Sequence, residues 1–197
     1  MKGLEGLTAA AKQVAADKSS GSPSKLPPVH LWDPPFCGDL DIRIAADGNW
    51  LYLGTPIGRP ALVRLFSTIL KREGDAYFLV TPVEKVGIRV DDAPFLAVEM
   101  SVTQQNGAQV LDFRTNVDDR VTCDATHGLR FEVASDGGLV PYLHVRAGLW
   151  AKVTRAVYYD LVDIGEERMV DGTMMFGIAS GEAFFPMSTA EGLKDES

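Results

Sequence analysis

The chain has 197 residues, 46% of them apolar, and a formal net charge of −8. That length and apolar content support one sizeable core or two smaller ones, because the buried fraction of surface rises with chain size, while the acidic balance excludes a non-specific nucleic-acid binder, which needs a basic surface to displace counterions. Two cysteines, Cys37 and Cys123, are too few for a disulfide scaffold or a zinc module. The charge is unevenly spread: Val29–Val90 carries seven residues of each sign, Asp91–Ser197 eight basic and eighteen acidic. Anionic ligands therefore fit the first half better.

The N-terminal segment has Lys and Glu within its apolar pattern, so it does not read as a signal peptide. No run approaches the roughly 20 apolar residues of a membrane span. The expected location is the cytoplasm. Leu4, Leu7, Ala11 and Val14 fall at helical spacing, but the stripe is thin and Ala-rich, so this helix needs a docking surface. The Ser/Gly/Pro run Ser19–Pro28 reads as a flexible linker. The expected domains are therefore 1–28, helix and linker; 29–92, a first repeat-like subdomain; and 93–197, a second.

After the linker, Leu40, Ile42 and Ile44 alternate on one strand face, and Asp47-Gly48 supplies the positive-φ positions of a tight hairpin before Trp50–Leu53. Pro60 suits a first helical position, and Leu62, Leu65, Phe66 and Ile69 predict a helix to about Leu70. Strands are expected over Ala76–Thr81, Val86–Val90, Phe95–Thr103 and Val110–Thr115, with a turn at Asn106-Gly107. The fold class is α+β, mostly antiparallel β. The second half repeats the pattern: Phe131–Gly137 aligns with Ile42–Gly48, and Val153–Ala156 with Ile57–Pro60 before a helix. Two related hairpin-helix halves are the economical reading, and two ordinary, unrelated hairpin-helix units are the alternative.

Cys37 lies in W-D-P-P-F-C-G. The prolines and Gly38 fix a loop that orients the thiol outside a regular strand. A nucleophilic thiol also needs a cation, a helix N-terminus or a histidine to stabilise its thiolate. His30, Arg43 and Arg59 are near in sequence, and Asp33, Asp39 and Asp41 oppose them. The other reading is an inert, buried cysteine. Trp32 and Phe36, with Trp50 and Tyr52, form either a pocket beside the thiol or a small core. Tyr142, His144 and Arg146 alternate onto one strand face, most simply a solvated one. Arg59 and Arg155 precede helix starts, where an anion is favoured, or they pair with carboxylates or aromatic rings. No histidine or cysteine has metal-ligand spacing, and no nucleotide, hydrolase or metalloprotease motif is present. No metal or cofactor is expected.

The run H-L-W-D-P-P-F-C-G-D-L-D-I-R-I, followed by D-G-N-W-L-Y-L-G-T-P-I-G-R-P-A-L-V-R-L-F-S-T-I-L and Y-F-L-V-T-P-V-E-K-V, resembles an uncharacterised bacterial family, domain of unknown function 1285. P-Y-L-H-V-R and V-Y-Y-D-L-V also fit, so the likeness spans about Val29–Ile164. The resemblance implies a duplicated, mostly β architecture whose second half is similar to pleckstrin-homology-like folds. It also implies a cleft between the halves, a signalling role and a motif cysteine, Cys37 here, as suspected nucleophile. Two functions stay open. One is a ligand-binding or signalling module for a small molecule or peptide, with a protein partner in signalling, its site formed by Cys37, Trp32, Phe36, Asp39, Arg43, Arg59, Tyr142, His144 and Arg146. The other is a cysteine-nucleophile enzyme with His30 or His144 as base.

Overall fold

The computed structural model describes residues 3–16, 26–135 and 137–189. Most of the expected linker, Asp136 of the second hairpin turn and the C-terminal tail lie outside the described residues. The chain divides into two units, Met1–Pro94 and Phe95–Ser197.

The first unit begins with α1 (Leu4–Ala16), which buries Leu7 and Ala11 and packs on α2 (Pro60–Thr68). The thin apolar stripe thus finds the docking surface it requires. Six strands follow the order β3-β2-β1-β6-β5-β4: β1 (Phe36–Ile44), β2 (Trp50–Tyr52), β3 (Thr55–Pro56), β4 (Leu70–Glu73), β5 (Ala76–Val80) and β6 (Lys85–Val90). The β1/β2 hairpin turns through Asp47-Gly48, with Ile44 opposite Trp50, but only Gly48, at φ +81°, takes the positive φ expected of both residues. Ile42 and Ile44 are fully buried, and the Trp50 ring stacks on Phe66 of α2 with centroids 6.4 Å apart.

The α2 helix stops earlier than its apolar spacing predicts. Ser67 and Thr68 donate their hydroxyls back to the Arg64 and Leu65 carbonyls, at 2.8 and 2.7 Å, a habit that loosens a helix end. Val80 then donates its N–H to Ile69 at 2.9 Å, and Leu70 pairs with Leu79. Apolar residues that prolong a helix on paper are captured by a strand instead.

The second unit has a six-stranded sheet ordered β10-β11-β12-β7-β8-β9: β7 (Phe95–Gln105), β8 (Ala108–Thr115), β9 (Arg120–Thr122), β10 (Leu129–Val133), β11 (Leu139–Arg146) and β12 (Leu149–Val153). Next come α3 (Arg155–Asp163) and a separate antiparallel sheet of β13 (Glu166–Val170), β14 (Thr173–Ser180) and β15 (Ala183–Thr189). Phe95, Leu111, Phe113, Leu143, Leu149 and Leu161 are at most 1% exposed and form the core.

Both six-stranded sheets follow one rule. Each consists of two three-stranded antiparallel meanders joined by a parallel pair between its first and last strands, β1 with β6 and β7 with β12. The units are therefore alike, but the equivalence differs from the sequence alignment. Sheet order matches β1 to β7, whereas the alignment matched β1 to β10. The helix follows the third strand in the first unit and the sixth in the second. Any hairpin ending in Asp-Gly resembles another in sequence, and local pattern does not reveal which strands pair in parallel.

Candidate functional site

The chain approaches Cys37 through a short 3-10 turn, Val29–Leu31, closed by the Trp32 N–H donating to Val29 at 3.2 Å. Trp32 is half-buried and Pro34 buried. The Pro35 carbonyl accepts the Lys85 N–H at 3.2 Å and the Cys37 thiol at 3.4 Å. Pairing with β6 thus begins one residue before β1, and Cys37 lies within β1 rather than in the expected free loop. The reason is that prolines before a strand do not interrupt it: the residues from Phe36 onward keep their N–H groups for the ladder.

The early part of β1 is irregular. Register shifts separate Phe36 from Asp39 and Asp39 from Arg43 in the pairing with β6. Gly38 has φ +91°, a conformation that costs a residue with a Cβ. Opposite Asp39, Gly87 leaves the space that the Asp39 carboxylate occupies, and a Cβ there would overlap Asp39 Oδ1. Cys37 and Asp39 are exposed, and Phe36 is 55% exposed. Among the described residues, the Cys37 sulfur makes its one hydrogen bond to a carbonyl and has no hydrogen bond to a histidine, lysine or arginine.

A charged brace lies across β4 and β6 of the same sheet. Lys71 and Lys85 each reach Glu73 at 2.9 Å, and Lys71 also donates to the Trp32 carbonyl at 3.3 Å. Hydrogen bonds from Lys71 and then Lys85 hold the Glu73 carboxyl below the usual carboxylate range. The Lys85 ammonium sits 5.1 Å from the Phe78 ring centroid, and Phe78 meets Phe36 edge to face at 6.1 Å. Farther along β1, Arg43 binds Asp91 through Nε and Nη2, at 2.9 and 2.6 Å, and Arg89 binds Asp41 at 2.8 Å. Asp91 is consequently lowered and Arg43 raised. Arg59 is an exposed N-cap of α2. Of the residues expected near the thiol, Trp32, Phe36 and Asp39 are adjacent to it along β1 or its entry, while Arg43 is engaged by Asp91.

Tyr142, His144 and Arg146 share β11, but their face is covered rather than solvated. Tyr142 is 7% exposed. Arg130 lies across it and across Trp150, at 5.1 and 4.2 Å from the ring centroids. His144 packs against Trp150 at 5.0 Å and stacks on His127 at 5.9 Å. Arg146 covers Phe95 at 5.0 Å and pairs with Asp119. Stacked cations and rings shield one another, so a polar stripe need not be wet. Reading each strand separately missed Arg130 and Trp150; their register opposite Tyr142 and His144 is what brings them in.

His144 is not a free base. Its Nε2 accepts the Gly148 N–H at 3.2 Å, so Nδ1 carries the proton and donates to the Thr126 carbonyl at 2.8 Å. Both ring nitrogens therefore hold loops in place. The second thiol, Cys123, is buried, and burial followed by the Asp124 charge pushes it up to about 12. Arg155 donates to the Tyr159 hydroxyl at 3.0 Å and lies over its ring, the aromatic alternative foreseen for it. Among the described residues, no group of three or more His, Cys, Asp or Glu side chains is placed to hold a metal ion.

Two mostly β units of matching sheet topology, the first bearing an exposed cysteine at an irregular strand entry, define a tandem β-domain protein. The chain belongs to the DUF1285 family: residues 27–93 match the N-terminal domain of unknown function and residues 94–187 the C-terminal domain. It is similar to the crystal structure of a DUF1285 family protein from Silicibacter pomeroyi DSS-3, with 51% identity over 96% of this chain and 98% of that one, and a TM-score of 0.83. A DUF1285 family protein from Shewanella baltica OS155 shares 34% identity over 63% of this chain and 91% of that one, with a TM-score of 0.51. Comparison with curated proteins finds no match. No helix among the described residues is long and apolar enough to cross a membrane.

Proposed function

We propose that this chain is a cytoplasmic ligand-binding or signalling module whose recognition surface in the first unit is the entry of β1 around Cys37. The observation that carries the reading is the exposure of Phe36, Cys37 and Asp39 within four residues of a segment braced by Lys71, Glu73 and Lys85. An exposed aromatic ring, thiol and carboxylate along one short segment offer one apolar and two polar contacts to a small molecule or peptide. The brace supports it by limiting the freedom that binding would otherwise remove.

The enzyme reading has the exposed thiol in its favour and lacks a base. His144 is engaged through both nitrogens, and no hydrogen bond from His30 to the sulfur is present among the described residues. Cys37 is therefore proposed as a contact residue, with the division 29–92 and 93–197 kept as the functional one. Six strands followed by a single helix support the pleckstrin-homology likeness proposed for the second unit. A thermal-shift screen of metabolites and short peptides tests the binding reading. Comparing the iodoacetamide labelling rate of Cys37 at neutral pH with that of glutathione tests the alternative, since a catalytic thiolate reacts far faster than an ordinary thiol.

A further inference from the structure

The second unit contains a cavity of about 670 Å³, in the size range of small-molecule sites. One stripe of α3, at positions i, i+4 and i+7, presents Arg155, Tyr159 and Val162 to it, while the opposite stripe buries Val157 and Leu161 in the core. Val140 and Met187 complete an apolar wall. Val133 and Tyr159 at this site are 73% and 52% exposed, so apolar surface stands in water that an occupant would cover.

The charge at the cavity runs against the rest of this half of the chain. None of its described lining residues is acidic, yet Lys152 and Arg155 both line it. Among the described residues Arg155 is bound by the Tyr159 hydroxyl and by no carboxylate, so its positive charge is oriented by a group that does not offset it. It occupies the first position of α3, whose N-cap Thr154 contributes no side-chain bond to the first-turn amides. In the same wall, Ser188 Oγ is buried and has no hydrogen-bond partner among the described residues.

We infer that this cavity binds a small amphipathic monocarboxylate, its alkyl or aryl tail against Val140, Val162 and Met187 and its carboxylate on Arg155 at the start of α3. A bidentate guanidinium-carboxylate pair supplies orientation, and the apolar wall supplies affinity. The inference is independent of the reading of Cys37, from which it differs in both unit and chemistry.

Calorimetric titration of the full chain with decanoate and with decanol, which shares the chain length but not the charge, tests it. Saturable one-to-one binding of decanoate is expected, with decanol at least tenfold weaker. Arg155→Gln should weaken decanoate about tenfold, equivalent to about 1.4 kcal/mol, and leave decanol unchanged. Val162→Trp, which fills the cavity, should abolish both, with circular dichroism confirming that each variant folds. Cys37→Ala should bind decanoate like the parent. The inference is overturned by no saturable binding to the parent chain, by equal affinity for decanoate and decanol, or by a folded Arg155→Gln variant that binds decanoate as well as the parent. Loss of binding in Cys37→Ala would overturn it too.

Discussion

Ser180→Ala should be one of the most destabilising small substitutions in the second unit. Ser180 is 1% exposed at the end of β14. Its hydroxyl donates to the Cys123 carbonyl at 2.6 Å and accepts the Leu111 N–H of β8 at 3.0 Å. One side chain therefore satisfies two backbone groups and ties the three-stranded sheet to the six-stranded one. Gln109 supports the joint by donating to the Ala179 carbonyl at 2.8 Å and accepting the Gly181 N–H at 2.7 Å. Alanine removes little volume but leaves a buried donor and a buried acceptor unpaired, each costing about 1–3 kcal/mol, so a total of about 2–6 kcal/mol is expected. With a urea m-value of about 2 kcal/mol/M for a unit this size, the midpoint of that unit should fall by about 1–3 M at unchanged slope. Hydrogen exchange locates the effect: the Leu111 amide should lose protection before the rest of β8. A loss below about 0.5 kcal/mol, or unchanged Leu111 protection, would refute the reasoning.

Under non-denaturing conditions at mildly alkaline pH, iodoacetamide should modify Cys37 alone, because Cys123 is buried and its thiol is pushed up to about 12; peptide mass mapping that finds Cys123 equally modified would contradict this. His144→Phe keeps the packing on Trp150 but strands the Gly148 N–H and the Thr126 carbonyl, so a loss of about 1–2 kcal/mol is expected in thermal or urea unfolding. Glu73, whose folded pKa is depressed by Lys71 and Lys85, contributes stability that is fully present above its unfolded value of about 4.3 and lost as pH falls through the folded value. Glu73→Gln should therefore flatten the decline of melting temperature on the acid side of about pH 5, and parallel curves for parent and variant would count against the brace.

Much of the scaffold is legible in the sequence wherever a local rule decides. The α1 stripe, the Asp47-Gly48 and Asn106-Gly107 turns and Pro60 at the start of α2 all follow from periodicity or turn chemistry. The same rule could have revealed one more hairpin. Asp171-Gly172 adopts φ values of +48° and +83° between β13 and β14 and carries the signal that identified the first hairpin. The β4 strand was hidden because Ile69 and Leu70 satisfy a helical stripe equally well, and only Leu79 and Val80 across the sheet decide the matter. The parallel pairs β1/β6 and β7/β12 join strands distant in sequence and leave no local mark, which is why the alignment matched β1 to the wrong strand. At the site, the types of residue were visible but not their engagements. His144 reads as a free imidazole until Thr126 and Gly148 are placed on its nitrogens. Arg43 reads as a spare cation until Asp91 is brought against it.

The most direct test of the central claim is the thermal-shift screen of metabolites and short peptides run in parallel on the parent chain, Phe36→Ala and Cys37→Ala. A ligand at a hundred times its Kd stabilises the parent by about 2.7 kcal/mol, which is readily measured. The binding reading expects at least one ligand that raises the melting temperature of the parent and loses most of that effect in both variants. No stabilising ligand, or hits that stabilise parent and variants alike, would contradict a recognition surface at the entry of β1.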